Sequence, residues 1–139
     1  MSIVQTQTTS FKAELYQAIH DLTTDTLKIA LYTAEADLNE TTTAYTTTNE
    51  IIGTGYTAGG EIMTGVTIGT SGYVAFVNFD NVLWNPAAFT ARCALIYNAS
   101  KANRSIAVLD FGSDKTTTTQ FLITMPANTA TTALIRSSN

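Results

Sequence analysis

Charge is what this sequence has least of, with seven lysines and arginines and eleven acids in 139 residues and a net charge of −4. The cations Lys12, Lys28, Arg92, Lys101, Arg104, Lys115 and Arg136 are scattered, and only Lys101 and Arg104 lie close in sequence. Phosphate recognition needs clustered cations, so the composition argues against a nucleic-acid partner. Cysteine is equally scarce. Cys93 stands alone, so no internal disulfide can form, and its apolar run Ala91–Tyr97 marks it as a core residue. One histidine, His20, and one cysteine leave too few soft ligands for zinc. Uncharged apolar stretches reach six or seven residues, far short of the roughly 20 that cross a bilayer, so no membrane is expected. The segment Met1–Gln7 has neither a cationic start nor a long apolar run, which predicts no signal peptide and synthesis in a cytoplasm.

What the sequence has in abundance is threonine, at 27 positions, clustered at 41–43, 46–48 and 116–119. The branched Cβ favours extended backbone, and the hydroxyl satisfies backbone groups in turns. Without a partner base the same hydroxyl is a poor nucleophile. With 45% apolar residues the chain is too hydrophobic for disorder. A domain with so little charge suits burial against copies of itself or against another protein.

Residues 1–9 read as an extended arm, frayed or laid across a neighbouring subunit, and residues 10–139 as one domain. Ser10 is placed to cap a helix over Phe11–Leu22, whose stripe is Phe11, Leu15, Ala18, Ile19 and Leu22. Strands are predicted at Leu27–Thr33, Glu61–Gly69, Tyr73–Phe79, Val82–Trp84, Phe89–Asn98, Ser105–Phe111, Gln120–Met125 and Ala133–Arg136. In the first, Leu27, Ile29 and Leu31 face one way and Lys28, Ala30 and Tyr32 the other. Gly65 predicts a bulge or bend in the second. A long loop at about 34–60 includes a helical turn near Asn49–Ile52, to bury Ile51 and Ile52. Many short strands at turn-punctuated intervals, with one helix, predict an all-β fold: a β-sandwich, with jelly-roll connectivity.

No catalytic constellation stands out. The run Gly53–Gly60 is followed by Glu61 rather than lysine, so it reads as a conformationally demanding loop and not a phosphate cradle. His20 is predicted at a helix end facing water or a loop, and nothing sets it beside Cys93. Asp80–Asn81, or Asp110 with Asp114, offers hard oxygens that calcium could use, although turn residues of this type ordinarily bond their own backbone. No catalytic residue, cofactor or metal is therefore assigned. The interface candidates are Tyr45 and Tyr56, two aromatics in an otherwise polar loop, and Trp84. Exposed around a concave patch, Trp84 and the tyrosines could also form a glycan platform.

The segments Ser10–Leu15, Leu27–Thr33, Thr43–Tyr45, Gly53–Gly60, Ala94–Asn98 and Leu109–Gly112 resemble a family of small virion structural proteins of tailed bacteriophages, over nearly the whole chain. The resemblance implies a non-enzymatic particle component. Its nearest functional picture is a capsid cement or decoration protein of jelly-roll type on the outer surface of the head. Its partners would be copies of itself, as a closed oligomer such as a trimer, and the major capsid protein. A tail, collar or fibre-associated role is the alternative.

Overall fold

A computed structural model describes residues 2–138. The chain forms twelve strands and one helix among these residues: β1 Ser2–Ile3, β2 Thr6–Gln7, α1 Thr9–Tyr16, β3 Leu27–Tyr32, β4 Asp37–Leu38, β5 Glu61–Ile62 and β6 Thr67–Ser71, followed by β7 Val74–Asn78, β8 Val82–Trp84, β9 Phe89–Asn98, β10 Arg104–Thr117, β11 Phe121–Ile123 and β12 Ile135–Ser137. It is a mostly β-sheet fold with one N-terminal helix, and no sheet closes into a barrel.

The central sheet has five strands in the order β2-β10-β9-β3-β5. Alternation along β3 builds a core on each of its faces. Leu27, Ile29 and Leu31 enter the larger core with Phe11, Trp84, Phe89, Ile96, Ile106, Phe121 and Ile135. Ala30 and Tyr32 enter a smaller one with Leu38, Cys93, Leu95, Tyr97 and Val108. Two apolar faces need two covers. The larger core is closed by the three-stranded sheet β12-β7-β6, the pair β11-β8 and α1. The smaller is closed by the N-terminal arm and the first part of the long loop, through Ile3, Ala36, Leu38 and Tyr45.

Three antiparallel pairings are nested: β9 with β10, β8 with β11, and β7 with β12. Residues 74–98 and 104–137 thus run as one long ribbon, folded so that its segments fall in three different sheets. The ribbon closes through Asn98–Arg104, where Ala102 and Asn103 both take positive φ.

Several expectations change in detail. Residues 2–7 lie on the chain's own sheets, β1 parallel to β4 and β2 antiparallel to β10, rather than across a neighbour. The helix starts earlier and ends earlier than periodicity predicts. Its N-cap is Thr8, whose side-chain oxygen accepts from the Phe11 amide. Its end is a Schellman motif, with the Ile19 amide donating to Glu14 O and the Ala18 amide to Leu15 O. Ala18 takes φ 58° there, which turns Ile19 and Leu22 off the helical stripe. No helical turn forms near Asn49–Ile52; Ile51 is buried by pairing with β3, while Ile52 is 97% exposed. Gly65, at φ 68°, splits the predicted Glu61–Gly69 strand into β5 and β6. In the other direction, β10 continues past the predicted strand end at Phe111 to Thr117, resuming its pairing at Lys115 opposite Ala91 after an irregularity.

Candidate functional site

The long loop carries a single charged residue between Glu40 and Glu61, and that residue organises it. Asn49 takes φ 62°, a conformation its short polar side chain tolerates, and turns the chain back toward the outer edge of β3. The Thr33 amide then donates to Asn49 O and the Ile51 amide to Leu31 O. Glu50 is fixed between these two bonds, opposite Tyr32.

Both of its carboxylate oxygens are engaged. Tyr45 donates its hydroxyl to Oε1 at 2.6 Å. Tyr56 donates to Oε2 at 2.5 Å, and the Gly59 amide donates to the same atom at 2.8 Å. Gly59 in turn accepts the Tyr97 hydroxyl at 2.6 Å, and Tyr56 Oη accepts the Leu31 amide at 3.0 Å. The Tyr45 ring stacks on Tyr97 in the smaller core, while Tyr56 packs against Trp84 and Phe89 in the larger. One carboxylate at the sheet edge therefore ties together side chains from both faces.

Electrostatics follow from this placement. Burial, with the Glu50 charge adding, pushes the Tyr97 hydroxyl up to about 12. Burial and the Glu50 hydrogen bond raise Tyr45 and Tyr56 well above the ordinary phenol range, and burial with the nearby Glu50 charge raises Tyr32. Phenols held protonated are donors, and the carboxylate accepts three hydrogen bonds, all from the long loop. The arrangement fastens a loop.

The three interface candidates are thus connected but turned inward. Tyr45 and Tyr56 are half-buried, and Trp84 is 1% exposed. No ring face of Trp84 is left for a sugar. Glu50 was not singled out from the sequence, and Gly59 only as part of the demanding Gly53–Gly60 run. A lone acid in a long uncharged stretch, with tyrosines five residues before and six after it, was the available signal.

His20 also departs from expectation. Its side chain is fully buried, packed edge-on against Phe11. Nε2 lies 2.8 Å from Glu14 Oε1, and Nδ1 lies 3.0 Å from Asn98 Nδ2. An amide nitrogen can only donate, so Nδ1 accepts and Nε2 carries the proton. Asn98 Nδ2 also donates to Asp25 Oδ2 at 2.7 Å, and Lys101 Nζ reaches the same carboxylate. Burial alone would raise the Asp25 carboxyl, but bonds from Asn98, the Asp21 amide and Lys101 hold it below the usual range. The network ties the segment after α1 to the turn between β9 and β10.

Cys93 lies in the other core, five residues along β9 from Asn98, or roughly 17 Å at a strand's rise. Imidazole and thiol are not brought together. Burial, with Asp110 adding, pushes the thiol up to about 12. Two of the hard-oxygen candidates accept main-chain amides: Asp110 Oδ1 from Gly112, and Asn81 Oδ1 from Met125. Among the described residues no group of three or more His, Cys, Asp or Glu is gathered as a metal site would require.

No family model, curated protein or solved structure matches this chain.

Proposed function

We propose that this chain is a non-enzymatic structural protein of a bacteriophage virion, a capsid decoration or cement protein on the outer surface of the head. It would act by self-association and by contact with the major capsid protein. The observation that carries the proposal is the distribution of charge over the fold. The strands β6, β7, β8, β11 and β12, which cover the larger core, lie in two stretches, 62–91 and 116–137. Those stretches hold only Asp80 and Arg136 as charged residues. Yet this layer exposes Ile68, Tyr73, Leu83 and Leu122, and the last two face each other across β8 and β11. A large face with so little charge, apolar in places and otherwise mostly neutral and polar, suits packing against protein.

We read the layered sheets as a β-sandwich and the nested ribbon as jelly-roll connectivity, in which one antiparallel ribbon wraps into two layers. Such a building block needs no cleft. Many copies per particle turn weak individual contacts into firm retention.

Cryo-electron microscopy of particles containing this chain tests the proposal. Density for it over the outer capsid shell is the expected result. Density confined to the tail or collar would move the protein to that role, and absence from the particle would overturn the virion reading.

A further inference from the structure

We infer that β6 is a self-pairing edge, through which two copies of this chain join their three-stranded sheets into one six-stranded sheet about a two-fold axis at Gly69. The inference rests on the reading of the chain as a self-associating building block, and it names the contact.

In the order β12-β7-β6, β6 is bonded to β7 on one side and, among the described residues, has no strand on the other. An open edge of this kind is a template for another strand, and proteins that must stay apart blunt it with lysine, proline, a bulge or a cover. None of these is present here. Thr67, Ile68, Gly69, Thr70 and Ser71 include no charge and no proline, and they pair with β7 in unbroken register. The neutrality extends over the whole hairpin, with no charged residue from Ile62 to Phe79.

That neutrality selects the occupant. Two copies of a chain with net charge −4 repel each other over most approaches, and the β6 hairpin is where they can meet without opposing like charges. The edge is also self-complementary. Antiparallel pairing centred on Gly69 sets Ile68 opposite Thr70 of the second copy and Thr67 opposite its Ser71. At the axis the missing side chain is replaced by a ring: a Cβ on Gly69 would lie 2.7 Å from atoms of the Phe76 ring, which therefore covers the glycine backbone. Pairing brings the two Phe76 rings to either side of the axis on one face.

Area sets a further condition. A five-residue strand is about 17 Å long, and its edge alone falls short of the roughly 800 Å² per partner of a standard interface. The remainder is available next to it. A cavity of about 660 Å³ opens between α1 and this sheet, lined by Leu15, Tyr16, Ile68 and Val77, with Lys12, Asp21 and Arg136, charges of both signs, also on its wall. Tyr16 is 93% and Leu15 40% exposed. The dimer contact takes in this groove as well as the edge. Its symmetry is two-fold, where the resemblance implies a closed oligomer such as a trimer.

Light scattering on the full chain from low to high micromolar concentration, with amide hydrogen exchange, tests the pairing. The wild type is expected at twice 14.9 kDa, with outward amides of residues 67–71 protected in proportion to dimer. The double variant Ile68→Lys/Thr70→Lys sets lysines against each other across the axis, and is expected as a monomer with unchanged far-UV circular dichroism. A dimer that persists in that variant, or wild-type oligomer with unprotected β6 amides, overturns the edge and leaves self-association standing. A wild type monomeric at every concentration overturns both. Should the double variant not fold, exchange on the wild type decides alone. The virion reading is judged separately by the particle map.

Discussion

Glu50 accepts the Tyr56 hydroxyl at 2.5 Å, and with that bond the long loop is fastened to the edge of the central sheet. The Tyr56 ring lies on the larger core, whereas the second phenol on the same carboxylate, Tyr45, lies on the smaller. Glu50→Gln keeps the shape but places an amide donor among three donors. We expect it to destabilise the protein by about 2–3 kcal/mol, the range for a lost hydrogen bond to a charged group with a partner left unpaired. Urea unfolding of the two proteins measures the difference. An unchanged midpoint would mean that the loop is held by ring packing alone.

The buried phenols predict an alkaline limit to stability. Tyr97, ordinarily at 10.0, is pushed up to about 12, and Tyr32, Tyr45 and Tyr56 are raised as well. A group with a raised native value gives stability that is full below the unfolded value and lost as pH rises through the native one. Stability should therefore hold to about pH 10 and fall steeply between 10 and 12. Tyrosinate absorbance at 295 nm, followed beside circular dichroism, should show these four ionising together with unfolding. Their ionisation in a folded chain would contradict the burial described here.

Gly60 sits where the loop returns to β5, with φ 81° and no room for a side chain. A Cβ there would lie 1.8 Å from Ile29 O, inside the β3 backbone. Gly60→Ala should cost more than about 3 kcal/mol or prevent folding, because the obstacle is main chain that cannot swing aside. Gly72, at the β6–β7 turn, is the control. It has φ 59° with nothing within 4 Å, so Gly72→Ala should cost only the roughly 1–2 kcal/mol of the left-handed conformation. Similar midpoints for the two variants would refute the close approach.

Ala18 offers the opposite sign. It is exposed and holds the left-handed position that closes the helix, where a methyl group is penalised and glycine is not. Relief of that strain exceeds the extra chain entropy of glycine by about 0.5–1 kcal/mol, so Ala18→Gly should raise the thermal midpoint. A lowered midpoint would place the helix end elsewhere.

Much of the β architecture was legible in local pattern. The alternation in Leu27–Tyr32 predicted its two apolar faces, and the segments Phe89–Asn98 and Ser105–Phe111 were predicted as strands. Gly65 marked a bend because only a few residue types take its conformation readily. The helix end was not legible, since Leu15, Ala18, Ile19 and Leu22 keep the helical period beyond the point where Ala18 turns the chain. Trp84 stood between a core and an interface position for a related reason: the short Val82–Trp84 run does not record which of its faces meets a core.

By itself, then, the sequence determined what depends on neighbours along the chain: strand-forming segments, turns, one helix start near residue 10, and an uncharged surface. Only the tertiary structure decided which segments meet. Glu50 reaches Tyr45, Tyr56 and Gly59 because Asn49 turns the loop onto β3, and β7, β8 and β9 find β12, β11 and β10 by nesting across up to about sixty residues. Such pairings repay loop-closure entropy with burial that exists only after the partners have met, so no local pattern records them.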